Sequence, residues 1–142
     1  MGVIIIRTGI LEFFFEAKVA SKIAEFLTRY DSSRDGLWWA LFKDQIHGSI
    51  GLDAALCESG AAHLRWFILS DALRGQGAGR ALVEAALDWC RKCGYPRVYL
   101  WTFAGLDAAR HLYVDFGFEL AKQRRGVQWG TEVTEQRFDL TL

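Results

Sequence analysis

The sequence has no excess of charge of either sign. Its 17 lysine and arginine residues are balanced by 17 aspartate and glutamate residues, so the formal net charge at pH 7 is zero. Dedicated nucleic-acid-binding domains carry clustered basic charge, and the even balance argues against a protein of that class. We therefore expect a small-molecule ligand and no nucleic-acid partner.

Long apolar runs are also missing. The apolar stretches at residues 3–6 and 13–15 are short and are interrupted by Arg7, Glu12 and Glu16, whereas a membrane-spanning helix needs about 20 apolar residues. No basic leader precedes an apolar stretch, as a secretory signal would require. We expect a soluble, cytoplasmic protein without a membrane partner.

Cysteine is scarce, with Cys57, Cys90 and Cys93 as its three residues. An odd count in a chain with a large apolar content does not indicate a disulfide framework. Cys90 and Cys93 form a C-x-x-C pair, but the pair closes a predicted helix before Gly94, whereas a redox cysteine lies at a helix N-terminus. No matching ligand cluster suits zinc, and we expect no metal.

What the sequence does contain is material for one well-packed domain. Hydrophobic residues make up 51% of the 142 residues and aromatic residues 14%. No linker rich in proline, glycine or serine divides the chain, and no segment repeats. We expect a single domain over residues 1–142.

Apolar periodicity predicts the element order β α β β β α β α β β. The predicted strands cover residues 3–7, 37–43, 46–56, 61–70, 97–102, 118–123 and 134–142, with a further extended segment at 10–15. The predicted helices cover 17–30, a segment ending at Cys93, and 106–116. This order indicates an α/β (α+β) fold with a mixed, mostly antiparallel sheet of six to seven strands and three to four flanking helices.

The stretch LRGQGAGRAL, residues 73–82, places three glycines between a strand and a helix. The first turn of a helix has unpaired N–H groups and a positive dipole end, which together bind anions. The loop ends at Arg80 without the lysine and hydroxyl of a P-loop, and Arg80 also stands where a dinucleotide fingerprint needs glycine. Of the candidate ligands, nucleotides, dinucleotides and coenzyme A, this excludes NTP hydrolysis and makes a dinucleotide a minor alternative. A tight helix entry without a ligand is an equal alternative for the loop by itself.

Two separated motifs carry a family resemblance. Residues 74–79 match the [Q/R]-x-x-G-x-[G/A] loop, and residues 112–118 match the L-Y-x-x-x-G-F segment, of the GNAT superfamily of acyl-CoA-dependent N-acyltransferases. The strand and loop look most like the acetyltransferase domains of MarR-type/GNAT fusion proteins. The resemblance implies an N-acetyltransferase that moves an acetyl group from acetyl-CoA to a primary amine, carried by a small molecule or an amino-acid-like acceptor.

The resemblance also implies two groups of cofactor-binding residues. The strand end formed by Phe67, Ile68 and Leu69 would offer backbone groups to pantetheine and leave a main-chain N–H near the acyl oxygen. The loop would offer N–H groups to the pyrophosphate through Arg74, Gly75, Gln76, Gly77, Ala78, Gly79 and Arg80.

The resemblance places Tyr113 near the sulfur, as the general acid for the departing thiolate. Its helical spacing also suits a plain core residue. The glutamate that many relatives carry on the strand before the loop is absent, which leaves His63 as the best local base, unless it is only an exposed strand residue. Leu106 replaces the family's usual asparagine.

These departures leave a second reading open, a non-catalytic acyl-CoA-binding sensor. Substrate choice would rest with the variable N-terminal part and the last hairpin, and that hairpin could also pair across a homodimer. The residues that could line an acceptor pocket are Glu12, Glu16, Arg65, Trp66, Trp101 and Trp129.

Overall fold

The computed structural model describes residues 4–7, 24–55, 60–73, 75–126 and 132–142. Its strands are β1 (Ile4–Arg7), β2 (Gly36–Phe42), β3 (Gln45–Asp53), β4 (Ala61–Leu69), β5 (Arg97–Phe103), β6 (Glu119–Gly126) and β7 (Val133–Thr141). Its helices are α1 (24–28), α2 (Ala78–Cys93) and α3 (Asp107–Asp115), with a 3-10 turn at Asp71–Leu73. The predicted order is confirmed, whereas the segment at 10–15 and the first part of the predicted helix 17–30 lie outside the described residues.

The described strands form one sheet in the order β1-β2-β3-β4-β5-β7-β6. Neighbouring strands are antiparallel except β4 and β5, which run parallel. The predicted mixed, mostly antiparallel sheet is therefore confirmed. The parallel pair arises because α2 carries the chain from one end of β4 back to the start of β5.

The larger core lies between one face of the sheet and the helices α2 and α3. Helix α2 turns a stripe of apolar residues toward the sheet, among them Leu82, Ala86 and the fully buried Cys90. Its last turn ends at Gly94, which has a φ of 76° and donates its N–H to the Arg91 carbonyl. The C-x-x-C pair thus closes a buried helix face, as its position in the sequence predicts.

The opposite face of the sheet carries a smaller core and a charged anchor. Phe26 of α1 packs with Leu37 and Trp39 of β2. Nearby, both oxygens of Asp53 accept hydrogen bonds from Arg29, at 2.8 and 2.6 Å, and Arg65 adds a third at 3.1 Å.

Asp53 is ionised in this setting despite its burial. Burial by itself would raise the pKa of the Asp53 carboxyl, but the hydrogen bonds from Arg29, Ala55 and Arg65 outweigh it and lower the pKa to about 2. The anchor therefore joins the turn after α1 to β3 and β4 through charge-assisted hydrogen bonds.

None of the described helices is long and apolar enough to cross a bilayer.

Replacing Asp53 by asparagine should destabilise the fold. Asp53→Asn leaves the guanidinium groups of Arg29 and Arg65 without their carboxylate, and since both are partly exposed we expect a loss of about 2–3 kcal/mol. Chemical denaturation of the variant and the parent protein measures the difference. The matched control is Asp88→Asn, which breaks an exposed pair with Arg91 and should change stability by less than about 0.5 kcal/mol. Equal losses in the two variants would contradict the anchoring role of Asp53.

Candidate functional site

The site begins where β4 and β5 part. The two parallel strands pair only from Ala61↔Arg97 to His63↔Tyr99, although β4 continues to Leu69 and β5 to Phe103. On their outer sides both strands stay paired, β4 with β3 and β5 with β7. A gap between the strands therefore opens in the middle of the sheet, beyond His63.

A bulge in β4 shapes one side of this gap. In the register with β3, Ser49 opposes Ile68 but Gly51 opposes Arg65, so that β4 has one extra residue. Trp66 lies in this stretch with a φ of 52°, in the left-handed region that side chains rarely adopt.

The extra residue reverses the alternation of side chains along β4. Before the bulge, Ala62 and Leu64 belong to the core beneath α2. After it, Phe67 and Leu69 pack against that same core, while Trp66 joins the cluster on the opposite face. The bulge thereby turns Phe67 toward α2 and α3.

The amide groups at the end of β4 fall into two sets. Ser70 donates its N–H to the His47 carbonyl at 2.7 Å, and amides two residues apart along a strand point the same way, so the Ile68 amide also faces β3. The amides of Phe67 and Leu69 then face the gap, where β5 no longer pairs with β4. Of the three residues predicted to bind pantetheine, Phe67 and Leu69 direct their backbone groups toward the gap, whereas Ile68 directs its backbone groups toward β3.

The glycine loop meets the gap at the start of α2. Gly75 and Gly77 have φ angles of 74° and 77°, so glycine is required there by the backbone, and an added Cβ at either position would meet nothing within 4 Å. At Gly79 a Cβ would lie 3.3 Å from Phe67 Cζ and 3.5 Å from Leu112 Cδ2. Gly79 therefore allows α2 to approach β4 and α3 closely.

The helix start has unpaired donors. The N–H of Ala81 donates to the Gly77 carbonyl at 3.0 Å, and no side chain caps the N-terminus of α2. The N–H groups of Ala78, Gly79 and Arg80 consequently have no acceptor within the helix. With the positive end of the helix dipole, they can bind an anion such as a phosphate.

Two polar side chains of the predicted loop are engaged within the protein. Gln76 Nε2 donates to the Ala72 carbonyl at 3.0 Å. Arg80 donates from Nη2 to Asp115 Oδ2 at 2.8 Å and lies over the ring of Phe116, which ties α2 to α3. Arg74 lies outside the described residues.

Tyr113 stands on α3 beside the gap and is 6% exposed. Its ring lies 6.1 Å from that of Phe67, 5.9 Å from Phe118 and 6.1 Å from Phe138, measured between centroids. Burial raises the pKa of the Tyr113 hydroxyl well above its ordinary value. Within the part of the chain that the structure describes, no hydrogen bond reaches this hydroxyl. Tyr113 is thus a neutral donor at physiological pH, and packing holds its ring in place.

His63 lies at the last parallel pair, on the face of the sheet opposite α2. Its ring stacks on Tyr99 at 4.5 Å. Burial, with a smaller contribution from the charge of Arg65, lowers the pKa of His63 to about 4. His63 is therefore neutral near pH 7, able to accept a proton but weakly basic.

Of the residues predicted to line an acceptor pocket, Arg65 and Trp66 lie together, whereas Trp101 does not lie with them. Arg65 is held by Asp53 and lies 4.3 Å over the ring of Trp66, and that ring packs against Phe26. The ring of Trp101, by contrast, lies farther along the sheet beneath the guanidinium of Arg124. The other three candidates, Glu12, Glu16 and Trp129, lie outside the described residues.

Two buried polar residues near the gap carry no signal in the sequence. Ser49 is fully buried and donates from Oγ to the Trp66 carbonyl at 2.9 Å. Glu135 is 2% exposed, and its Oε1 accepts a hydrogen bond from Arg124 at 3.0 Å, while its Oε2 has no partner among the described residues. Each lies in an apolar or alternating strand, where pattern alone does not distinguish a buried serine or glutamate from a solvated one.

Over the described ranges, no group of three or more histidine, cysteine, aspartate or glutamate residues is arranged to hold a metal ion.

A family model and several curated relatives match this chain. A model of the Acetyltransferase (GNAT) family matches residues 7–118, which is most of the chain. The chain belongs to the GNAT family. Among curated relatives, N-acetyltransferase 8B of Rattus norvegicus is 35% identical over 105 residues, covering 71% of this chain and 47% of the relative. The chain spans about half the length of the curated relatives it matches.

Solved structures share the fold of this GNAT chain. The acetyltransferase of GNAT family from Streptococcus pneumoniae superposes with a TM-score of 0.72 at 19% identity, over 87% of this chain and 77% of that one. The yncA protein from Salmonella typhimurium, solved with its cofactor acetyl-CoA, gives a TM-score of 0.72 at 18% identity, over 87% and 73%. The GNAT-like fold predicted from the two motifs is confirmed.

The low pKa of His63 should make stability depend on pH in a defined window. Because the folded-state pKa of about 4 lies below the ordinary 6.5, the unfolded chain takes up a proton first, and stability falls as pH drops from 6.5 toward 4. Between pH 7 and pH 4.5, the parent should lose roughly 2 kcal/mol more than a His63→Gln variant. The measurement is urea unfolding at both pH values. The titration of Asp53, whose pKa is about 2, does not affect stability above pH 4.5. Parallel pH profiles for the two proteins would contradict the shift.

Proposed function

We propose that this GNAT chain is an N-acetyltransferase that moves an acetyl group from acetyl-CoA to a primary amine. The observation that carries the proposal is the gap between β4 and β5 beyond His63. The amides of Phe67 and Leu69 face it, and Phe67 lies next to both the start of α2 and Tyr113. An extended thioester fits such a gap, since β4 can pair with it as it would with a strand. The acetyl-CoA of the Salmonella typhimurium structure supports the choice of cofactor.

In this proposal the pyrophosphate binds the loop at the start of α2. Gly75, Gly77 and the first-turn N–H groups of Ala78, Gly79 and Arg80 surround it, and the helix dipole favours its negative charge. Among the described side chains of the loop, little positive charge is left for the pyrophosphate, because the Arg80 guanidinium is paired with Asp115. Pantetheine then follows β4 along residues 67–69 into the gap.

The reaction is a direct attack on the thioester. The amine nitrogen bonds to the carbonyl carbon, the carbon–sulfur bond breaks, and the sulfur leaves with the electron pair. A main-chain N–H of β4 stabilises the developing negative charge on the acyl oxygen. Tyr113, neutral because its pKa is raised, donates its proton to the departing thiolate.

The attacking amine must also lose a proton. We propose His63 as its acceptor, acting through water, because it is neutral near pH 7 and lies where the gap begins, on the face of the sheet opposite α2 and α3. Its pKa of about 4 makes this a weak base, so the amine must reach the site largely deprotonated. Activity should then rise with pH toward the pKa of the amine.

The remaining parts of the proposal concern context. The acceptor is proposed to be a small or amino-acid-like primary amine, and the protein to act in the cytoplasm as one domain over residues 1–142. The closeness to MarR-type fusion proteins and the homodimer through the last hairpin stay predictions. Sedimentation of the purified chain tests the homodimer.

Substituting Gly77 should weaken cofactor binding. The φ of 77° strains any other residue, so Gly77→Ala should lose about 1–2 kcal/mol of stability and turn an N–H away from the pyrophosphate. Losing one hydrogen bond to a charged group corresponds to about a tenfold rise in the Kd for acetyl-CoA. Isothermal titration measures this Kd.

Gly94 provides the matched control. It has nearly the same φ, 76°, and equally open surroundings, but it lies at the other end of α2. Gly94→Ala should lose similar stability and leave the Kd for acetyl-CoA unchanged. If both variants bind acetyl-CoA like the parent, the loop is only a tight helix entry and the cofactor site is elsewhere.

Removing the Tyr113 hydroxyl should separate chemistry from binding. Tyr113→Phe keeps the ring packing, so the Kd for acetyl-CoA should stay within about twofold, whereas kcat should fall by about 100-fold because the thiolate loses its acid. Turnover is followed by release of free thiol with the best amine of a broad panel.

Tyr95→Phe is the control for this experiment, because it removes a tyrosine hydroxyl that donates to the Arg34 carbonyl at 2.8 Å, far from the gap. Its kcat should be that of the parent. A parent protein that binds acetyl-CoA but acetylates no amine would instead support the sensor reading.

A further inference from the structure

Ser49, the buried serine on β3, contacts a backbone carbonyl of β4 beside the gap. Ser49 Oγ donates a hydrogen bond to the carbonyl of Trp66 at 2.9 Å. That carbonyl belongs to the same planar peptide unit as the N–H of Phe67. The structure contains no cis peptide among its described residues, so the C=O and N–H of this unit point in opposite directions.

We infer that Ser49 is a positioning residue for acyl transfer, which aims the Phe67 N–H at the acyl oxygen of the bound thioester. The inference rests on the proposed function. By drawing the Trp66 carbonyl toward β3, the Ser49 hydroxyl turns the other end of the peptide unit into the gap. The same hydrogen bond polarises the peptide and strengthens its N–H as a donor.

The unusual backbone of Trp66 explains why such a device is needed. A φ of 52° is unfavourable for an aromatic residue, and a conformation of this kind persists only when its surroundings hold it. The indole is held by Gly51, where an added Cβ would lie 2.7 Å from Trp66 Cε3. The ring also packs against Phe26 at 4.9 Å and beneath Arg65 at 4.3 Å. The ring contacts fix the side chain, and Ser49 fixes the peptide.

Ser49 is suited to this task because its hydroxyl is buried and directed at the Trp66 carbonyl. It is fully buried in β3, where its hydroxyl cannot exchange with water. Without it, the Trp66 carbonyl would lose the hydrogen bond from Ser49 and could rotate toward another donor. The Phe67 N–H would then rotate with it, since the peptide unit moves as one plane.

The test is isotope-edited infrared spectroscopy of acetyl-CoA labelled with ¹³C at the acetyl carbonyl. Bound to the parent protein, this carbonyl should absorb at lower frequency than in free acetyl-CoA, because the aimed N–H polarises it. In Ser49→Ala the band should move back toward the free value while the Kd for unacylated CoA stays within about twofold of the parent value. Ser49→Cys, which retains a weak donor, should give an intermediate position.

Two further variants extend the test, one expected to shift the band and one serving as the control. Gly51→Ala pushes the indole of Trp66 and should shift the band as Ser49→Ala does, which keeps the inference testable if Ser49→Ala does not fold. Tyr95→Phe removes another hydroxyl-to-carbonyl hydrogen bond at a distance and should leave the band unchanged. With an amine that the parent acetylates, Ser49→Ala should lower kcat about 10- to 100-fold with little change in KM for acetyl-CoA. This loss is smaller than the loss expected when an oxyanion donor is removed altogether, because the Phe67 N–H is still present.

The outcomes separate this inference from the proposed function. If neither acetyl-CoA nor CoA binds the parent, both fail. If both bind, but the band of the parent equals that of free acetyl-CoA, or the band of a folded Ser49→Ala equals that of the parent, the role of Ser49 is overturned and the acetyltransferase proposal stands.

Discussion

The peptide unit between Trp66 and Phe67 is the constraint on which the rest of the site depends. One extra residue in β4 reverses the side-chain alternation, so that Phe67 and Leu69 face the helices although Ala62 and Leu64 do so earlier in the same strand. Phe67 then touches both the α2 start at Gly79 and the ring of Tyr113. Without the bulge, these three parts of the site would not meet.

The bulge and the gap beside it are coupled by simple geometry. A bulge bends a strand and increases its twist, and β4 leaves β5 just before the bulge, after His63. Each strand keeps a partner on its other side, so the sheet stays continuous while its middle opens. The amides that face this opening can donate hydrogen bonds to an extended ligand, because the backbone groups of a strand without a neighbour can pair with another extended chain.

Among the described residues of the site, oriented dipoles face the proposed ligand more than free charges do. The Arg80 side chain is neutralised by Asp115, Arg65 is held by Asp53, and Tyr113 stays neutral. What faces the proposed ligand is a row of backbone N–H groups at the start of α2 and in β4. Such groups are fixed by the fold and need little reorganisation as charge develops. A chain with zero net charge can hold an anion in this way.

Features that arise from local patterns are predicted correctly from the sequence. The element order, the close of α2 at Gly94, the glycine loop and the segment that carries Tyr113 all follow from periodicity, turn residues or motifs within short stretches, and the structure agrees with them. The sequence could not reveal the bulge at Trp66, because nothing in an aromatic residue indicates a positive φ. It also gave no sign of the ion pair of Arg80 with Asp115, 35 residues away, or of the lowered pKa of His63. These features depend on which distant residues the fold brings together, and no local pattern encodes such contacts.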